Sequence, residues 1–206
     1  MLIRAVIFDL DGTLTQPFFD FDAIRAEMGI DANAGPVLEA MERMTPEKRQ
    51  ACERILHRHE SRAVSESRLN KGVRQTLGLL RQAGIRIGVL TRNKRANAIA
   101  VAEKHRLDFD FIVDREAGPV KPDAFGVLRI CREFAVAPKN TLVVGDYLFD
   151  VLCAKSAGAL AVLLVNNNRA AEFAEKADFV IESIDQVLDI VNEKNRIPCA
   201  QETQDS

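Results

Sequence analysis

The chain has little excess charge: 28 Lys and Arg stand against 30 Asp and Glu in 206 residues, a formal net charge of -2. No strongly basic field exists to hold a nucleic-acid backbone, which argues against a dedicated DNA binder. Cysteine is sparse and scattered, at Cys52, Cys131, Cys153 and Cys199, with no CxxC and no metal-type spacing. That usage reads as reduced thiols in a cytoplasmic protein and speaks against structural zinc. Long hydrophobic runs are lacking too: the opening apolar stretch is broken by Arg4 and ended by Asp9, too short for a signal h-region or a membrane span. Internal repeats and low-complexity tracts are absent. What is present is ordinary globular material, 47% hydrophobic and 28% charged, enough for a sizeable core. The length suits one domain with a small appendage.

Short apolar runs recur, bounded by turn-type or charged residues and separated by helix-length amphipathic stretches. This is the pattern of a parallel sheet covered by helices. The expected strands are 2–8, 85–90, 109–113, 141–144, 161–165 and 179–181, with helices near 72–83, 94–105, 123–135, 148–157, 169–176 and 184–193. The fold class is therefore α/β, a Rossmann-like parallel sheet sandwiched by helices. Residues 16–70 break the rhythm with helical periodicity alone, over 20–29, 36–44 and 46–62. Thr45-Pro46-Glu47 offers an N-cap, a proline at the first helical position and an acidic first turn. The expected division is a core of 1–15 and 71–194, a helical insertion at 16–70, and a frayed polar tail at 195–206.

The sharpest feature is Val6-Ile7-Phe8-Asp9-Leu10-Asp11-Gly12-Thr13, an apolar strand ending in two carboxylates. In extended chain, residues i and i+2 project to one side, so Asp9 and Asp11 point together at the strand's carboxyl end, where open α/β sheets bind ligands. Two adjacent carboxylates need a cation or a shared proton, and magnesium, which prefers hard oxygen ligands, answers that need. A second acidic pair follows another apolar run: Asp146 at an expected N-cap, Asp150 one turn later. Thr91 and Arg92 follow a third strand, and Lys121 precedes a helix. There a hydroxyl, turn N–H groups and an ammonium can meet phosphate. Each feature alone has an ordinary alternative: a solvated turn, a helix cap, a strand-end hydroxyl, a surface lysine. Their placement at successive ends of one sheet is what chance explains poorly. On the expected helix 46–62, Arg54, Arg58 and Arg62 form a stripe beside His57 and His59. A solvated face interleaved with Glu53 and Glu60 is the plainer reading of it. Phe18, Phe19 and Phe21 read as packing between insertion and core.

These motifs resemble those of the haloacid dehalogenase superfamily of phosphohydrolases, in its phosphoglycolate phosphatase-like group. Asp9-x-Asp11-Gly12-Thr13 matches the first motif, Thr91 the second, Lys121 the third and Gly145-Asp146-x-x-x-Asp150 the fourth, over residues 5 to about 190. The resemblance implies a Rossmann-like core with a helical cap at 16–70 and a magnesium-dependent phosphatase acting through an aspartyl-phosphate. It assigns Asp9 as nucleophile and Asp11 as general acid and base. Thr91 and Lys121 would hold the phosphoryl oxygens; Arg92, read from its own place as an exposed cation on the turn after Thr91, is a further candidate for contacting the substrate phosphate. Mg2+ would be bound by Asp9, the backbone carbonyl of Asp11, Asp146 and Asp150. Two departures stand out: Tyr147 replaces the small polar residue of many relatives, and the cap is short. The implied partner is a small phosphorylated metabolite rather than nucleic acid or membrane, with the chain a monomer or weak homodimer. A phosphomutase would share every motif. A receiver domain that holds phosphate on aspartate without turnover is the alternative of another class, and the inserted helices argue against it.

Overall fold

The computed structural model describes residues 2–166 and 168–196, with the side chains of residues 168 and 169 excepted. Six strands form one sheet: β1 (Ala5–Phe8), β2 (Arg86–Leu90), β3 (Phe111–Val113), β4 (Thr141–Gly145), β5 (Leu160–Leu164) and β6 (Phe179–Ile181). All pairings are parallel, in the order β3-β2-β1-β4-β5-β6. The expected α/β class and all six strands are present. The first strand starts at Ala5 rather than residue 2, since the Ile3 N–H is taken by the Asn195 side chain at 2.6 Å.

Alternation along the strands divides the core into two layers, because successive side chains point to opposite faces. Val6, Phe8, Leu142, Val144, Val162 and Leu164 pack on one face with α4 (Val73–Gln82), α5 (Arg95–His105) and α9 (Gln186–Asn195). Ala5, Ile7, Val143, Ala161 and Leu163 pack on the other with α6 (Phe125–Glu133) and α7 (Leu148–Ala157). With both faces covered, strands read as continuous apolar runs, which is why they stood out in the sequence. The expected helix 169–176 divides into α8 (Asn168–Ala171) and a 3-10 turn at Ala174–Lys176.

Between β1 and α4 lie α1 (Phe21–Met28), α2 (Val37–Glu42) and α3 (Pro46–Glu66), which share a separate apolar cluster of Ile24, Met28, Val37, Met41, Cys52 and Leu56. Thr45 caps α3 by accepting from the Lys48 N–H, with Pro46 in the first turn. The two chain passages into this segment are tied together. Thr15 bridges Leu69, and the Asn70 Nδ2 donates to the carbonyls of Gly12, Thr13 and Thr15 at 3.0, 2.7 and 3.1 Å. Lys104 on α5 donates to the carbonyls of Val64, Ser65 and Ser67, satisfying acceptors that the end of α3 leaves open.

Cys52, Cys131 and Cys153 are free and buried, while Cys199 lies outside the described residues. The tail expected from 195 falls outside them from 197 onward. Asn195 itself closes α9 and is bonded to Ile3. Among the described residues no helix is long and apolar enough to cross a membrane.

Candidate active site

The register brings the polar strand ends level. Phe8 pairs with Val89 on one side and Val144 on the other, so the residues that follow β1, β2 and β4 emerge side by side. Strand order reverses at β1, whose neighbours are β2 and β4, and crevices at such reversals are where open sheets take ligands. The Asp9 N–H bonds the Val144 carbonyl at 2.8 Å, extending the ladder one residue and fixing where the Asp9 side chain leaves the sheet.

Lys121 is the centre of the charge arrangement. Its Nζ donates to Asp9 Oδ1 and to Asp150 Oδ1, each at 2.6 Å, and the side chain is 4% exposed. Carboxylate oxygens of Asp9, Asp146 and Asp150 all lie within 4.8 Å of one another. Asp146 accepts from the Thr13 hydroxyl at 3.0 Å. Asp150 lies in the first turn of α7 and accepts from the Tyr147 N–H at 3.2 Å, where the helix terminus favours negative charge. Tyr147, not Asp146, is therefore the N-cap of α7: Asp150 reaches back to the cap backbone, and the Asp146 carboxylate is directed to Thr13. Gly12 makes the approach possible. Its φ is +92°, and a Cβ there would press into the Asp146 carboxylate.

Asp11 stands apart from the three clustered carboxylates. Its Oδ2 accepts from the Asn93 Nδ2 at 3.1 Å. Thr91 is buried, and its Oγ1 accepts the Asn93 N–H at 3.0 Å. Burial, reinforced by the Asp9 charge, pushes Asp11 up to about 7. Burial with Asp9 and Asp150 pushes Asp146 up to about 8, and Asp150 rises to about 6 from burial even though Lys121 opposes it. Burial works against the Lys121 charge, yet Asp150 and Asp9 hold its ammonium above the ordinary lysine range. Three clustered carboxyl groups thus lie about one buried ammonium, with Asp11 nearby on Asn93. This surplus of oxygen donors and negative charge fits a hard divalent cation such as magnesium.

Other expectations meet a different arrangement. The Arg92 guanidinium is not gathered with Lys121 and Thr91: it is forked by Glu39 on α2 at 2.8 and 2.6 Å, donates to the Lys121 carbonyl, and lies 4.9 Å from the Phe149 ring centre. Within the arginine stripe, Arg58 and His59 pair with Glu27, while Arg62 pairs with Glu66 and lies over Phe18. Phe19 meets Phe18 edge-on and stacks on Phe21. Tyr147 sits edge-on to Phe149 and Phe173, so the larger residue at that position is absorbed by an aromatic cluster. Glu60, read as part of a solvated face, is 2% exposed and paired with Arg115. The sequence did hold a signal for it: Cys52, Leu56, Glu60 and Ala63 form a helical stripe, and all four are buried.

Comparison with known proteins agrees with this geometry. A family model described as haloacid dehalogenase-like hydrolase matches residues 3–158. An uncharacterized hydrolase of Saccharomyces cerevisiae is 30% identical, over 94% of this chain and 93% of that protein. A phosphoglycolate phosphatase of Chromobacterium violaceum is 28% identical, over 92% of this chain and 96% of the relative. Among solved structures, a hydrolase from Pseudomonas syringae superposes with a TM-score of 0.79 at 21% identity, covering 92% of this chain and 98% of that one. With the sheet order, the strand-end acidic cluster and a match over most of its length, the chain belongs to the haloacid dehalogenase-like hydrolases.

Proposed function

We propose that the protein is a magnesium-dependent phosphatase that hydrolyses a small phosphate monoester through an aspartyl-phosphate on Asp9. The observation that carries this reading is the Lys121 ammonium bridging Asp9 and Asp150 beside the Asp9-Asp146-Asp150 group. The phosphoglycolate phosphatase relative supports the substrate class. Segment 16–70, with its own apolar cluster, serves as the cap over the sheet edge.

The ion-paired Asp9 carboxylate needs no separate base and attacks phosphorus, displacing the alcohol and leaving the phosphoryl group on Asp9. Asp11, raised to about 7, can carry a proton near neutrality and gives it to the departing oxygen. Once ionised, it takes a proton from the water that cleaves the acyl-phosphate. Halide needs no such proton, so a carboxyl at this position favours phosphate chemistry over dehalogenation. Lys121 and Thr91 hold the phosphoryl oxygens, and Lys121 also orients Asp9. Asp9, the main-chain carbonyl of Asp11, and Asp146 would hold Mg2+, with Asp150 as a further ligand or a partner to those ligands. The ion, when bound, supplies positive charge that offsets the carboxylates and the phosphoryl group.

The test is phosphate release from an aryl phosphate and from a panel of phosphorylated metabolites with magnesium. Wild type is expected to turn over and to fall silent in excess EDTA. Asp9→Asn should abolish release while leaving the circular dichroism spectrum unchanged. Wild-type turnover by Asp9→Asn would remove the nucleophile assignment, and undiminished activity in EDTA would remove the metal.

A further inference from the structure

A line of polar side chains runs from the inserted helices to Asp11. Glu60 lies on the buried stripe of α3, and both its carboxylate oxygens are bound by the Arg115 guanidinium, Oε2 by Nη2 at 3.3 Å. Oε2 also accepts from the Asn97 Nδ2 at 3.2 Å. The same Nδ2 donates to Asn93 Oδ1 at 2.7 Å, and the Asn93 Nδ2 donates to Asp11 Oδ2 at 3.1 Å.

The polarity of this line is imposed from its far end. A carboxylate held by arginine only accepts, so Asn97 must present its NH2 group to Glu60. The second proton of that NH2 is left for Asn93, which must turn its oxygen toward it. The Lys94 N–H, donating to the same oxygen at 2.8 Å, reinforces that orientation. The Asn93 NH2 then faces Asp11. That donor on Oδ2 fixes the rotation of the Asp11 carboxyl and leaves Oδ1 free of this contact.

We infer that Glu60, Arg115, Asn97 and Asn93 form a positioning relay by which α3 orients the Asp11 carboxyl. The inference rests on the reading of Asp11 as the acid that protonates the leaving alcohol. Glu60 belongs to the inserted segment, whereas Arg115, Asn97 and Asn93 belong to the sheet-bearing core. The relay is therefore complete only while α3 is seated against α5 and the β3 loop. None of the first three residues touches the Asp9-Lys121-Asp150 group, so they act through Asn93 and Asp11.

The experiment compares kcat/KM for two substrates in wild type, Asp11→Asn, Asn97→Ala, Glu60→Ala and Glu60→Gln. Dinitrophenyl phosphate has a leaving group that needs little protonation, whereas an alkyl phosphate depends on the acid. Asn97→Ala leaves the Glu60–Arg115 pair in place; it should lose about tenfold on the alkyl ester and less than about twofold on the aryl ester, a fraction of what a full general acid contributes. Glu60→Ala should show the same split. Glu60→Gln, which keeps an oxygen to accept from Asn97, should restore most of the alkyl activity. Thermal unfolding run alongside separates this from instability, because a merely structural Glu60 or Asn97 would lower both substrates together. Equal losses on both esters, or no loss, in a folded Asn97→Ala overturns the relay. Should that variant fail to fold, the relay is judged on Glu60→Gln, and an alkyl-to-aryl ratio like that of Asp11→Asn overturns it. Asp11→Asn with no split overturns the acid assignment itself, and a split in Asp11→Asn without one in Asn97→Ala overturns the relay alone.

Discussion

Asp146 offers a direct measure of how far the site depends on a cation. The perturbation is Asp146→Asn, an isosteric change whose Oδ1 can still accept from the Thr13 hydroxyl. In the metal-free protein, burial, Asp9 and Asp150 raise this carboxyl from 3.8 to about 8. A carboxyl raised by folding binds its proton more tightly in the folded state. Its contribution to stability is therefore full below about pH 4 and is lost as pH rises through about 8. At about 1.4 kcal/mol per pH unit, the rise from 3.8 to about 8 sets a ceiling of about 6 kcal/mol at pH 8, and relaxation at an effective dielectric near 20 lowers it to about 3. Asparagine does not titrate. At pH 8 without divalent ions the variant should thus be the more stable protein by about 2 to 4 kcal/mol, or roughly 5 to 15 °C in Tm. At pH 4.5 the two should coincide. Magnesium should reverse the order at about a thousandfold excess over Kd, raising wild type by mass action by about 4.1 kcal/mol and raising the variant far less. Thermal unfolding by circular dichroism across pH 4.5 to 8, on metal-stripped and magnesium-loaded protein, reads all of this. A flat wild-type pH profile without metal, or a variant no more stable than wild type at pH 8, would refute the reasoning.

Lys121→Met leaves Asp9 and Asp150 buried without their shared ammonium and should cost about 3 to 5 kcal/mol at pH 8 in urea denaturation. The loss should shrink at pH 5, where Asp150, raised to about 6 by burial, can take a proton instead. Gly12→Ala places a Cβ at φ +92° and against the Asp146 carboxylate, so it should cost about 1 to 3 kcal/mol. The same variant should also blunt the magnesium-induced rise in Tm, since Asp146 must give way. An unchanged midpoint with a full magnesium response would show that the turn tolerates the methyl.

Much of the fold was legible because both sheet faces are covered. Strands such as Leu142-Val143-Val144 and Ala161-Val162-Leu163 are apolar on both sides and end at polar residues, so their limits fell within a few residues of the observed ones. The strand-end placement of Asp9, Thr91 and Asp146 was legible for the same reason. The helix start was not: Asp146 is a better capping residue than Tyr147 by preference, yet the Thr13 hydroxyl claims it and Asp150 serves the cap backbone. Arg92 read as a free cation on a turn. Its partner Glu39 is 53 residues away on a helix whose approach no local pattern announces.

The sequence by itself determined the class of fold, the order of its elements and the chemistry available at the sheet edge, because alternation and helical periodicity are local properties of the chain. Tertiary structure alone decided how those groups are shared. It gave Lys121 to both Asp9 and Asp150, kept Asp11 apart on Asn93, and turned Glu60 from an expected surface charge into a buried partner of Arg115. The physical reason is that charge pairing and hydrogen-bond polarity depend on distances of a few ångströms between residues 29 to 112 positions apart in the chain. Those distances exist only once α3 and the strand ends have packed together.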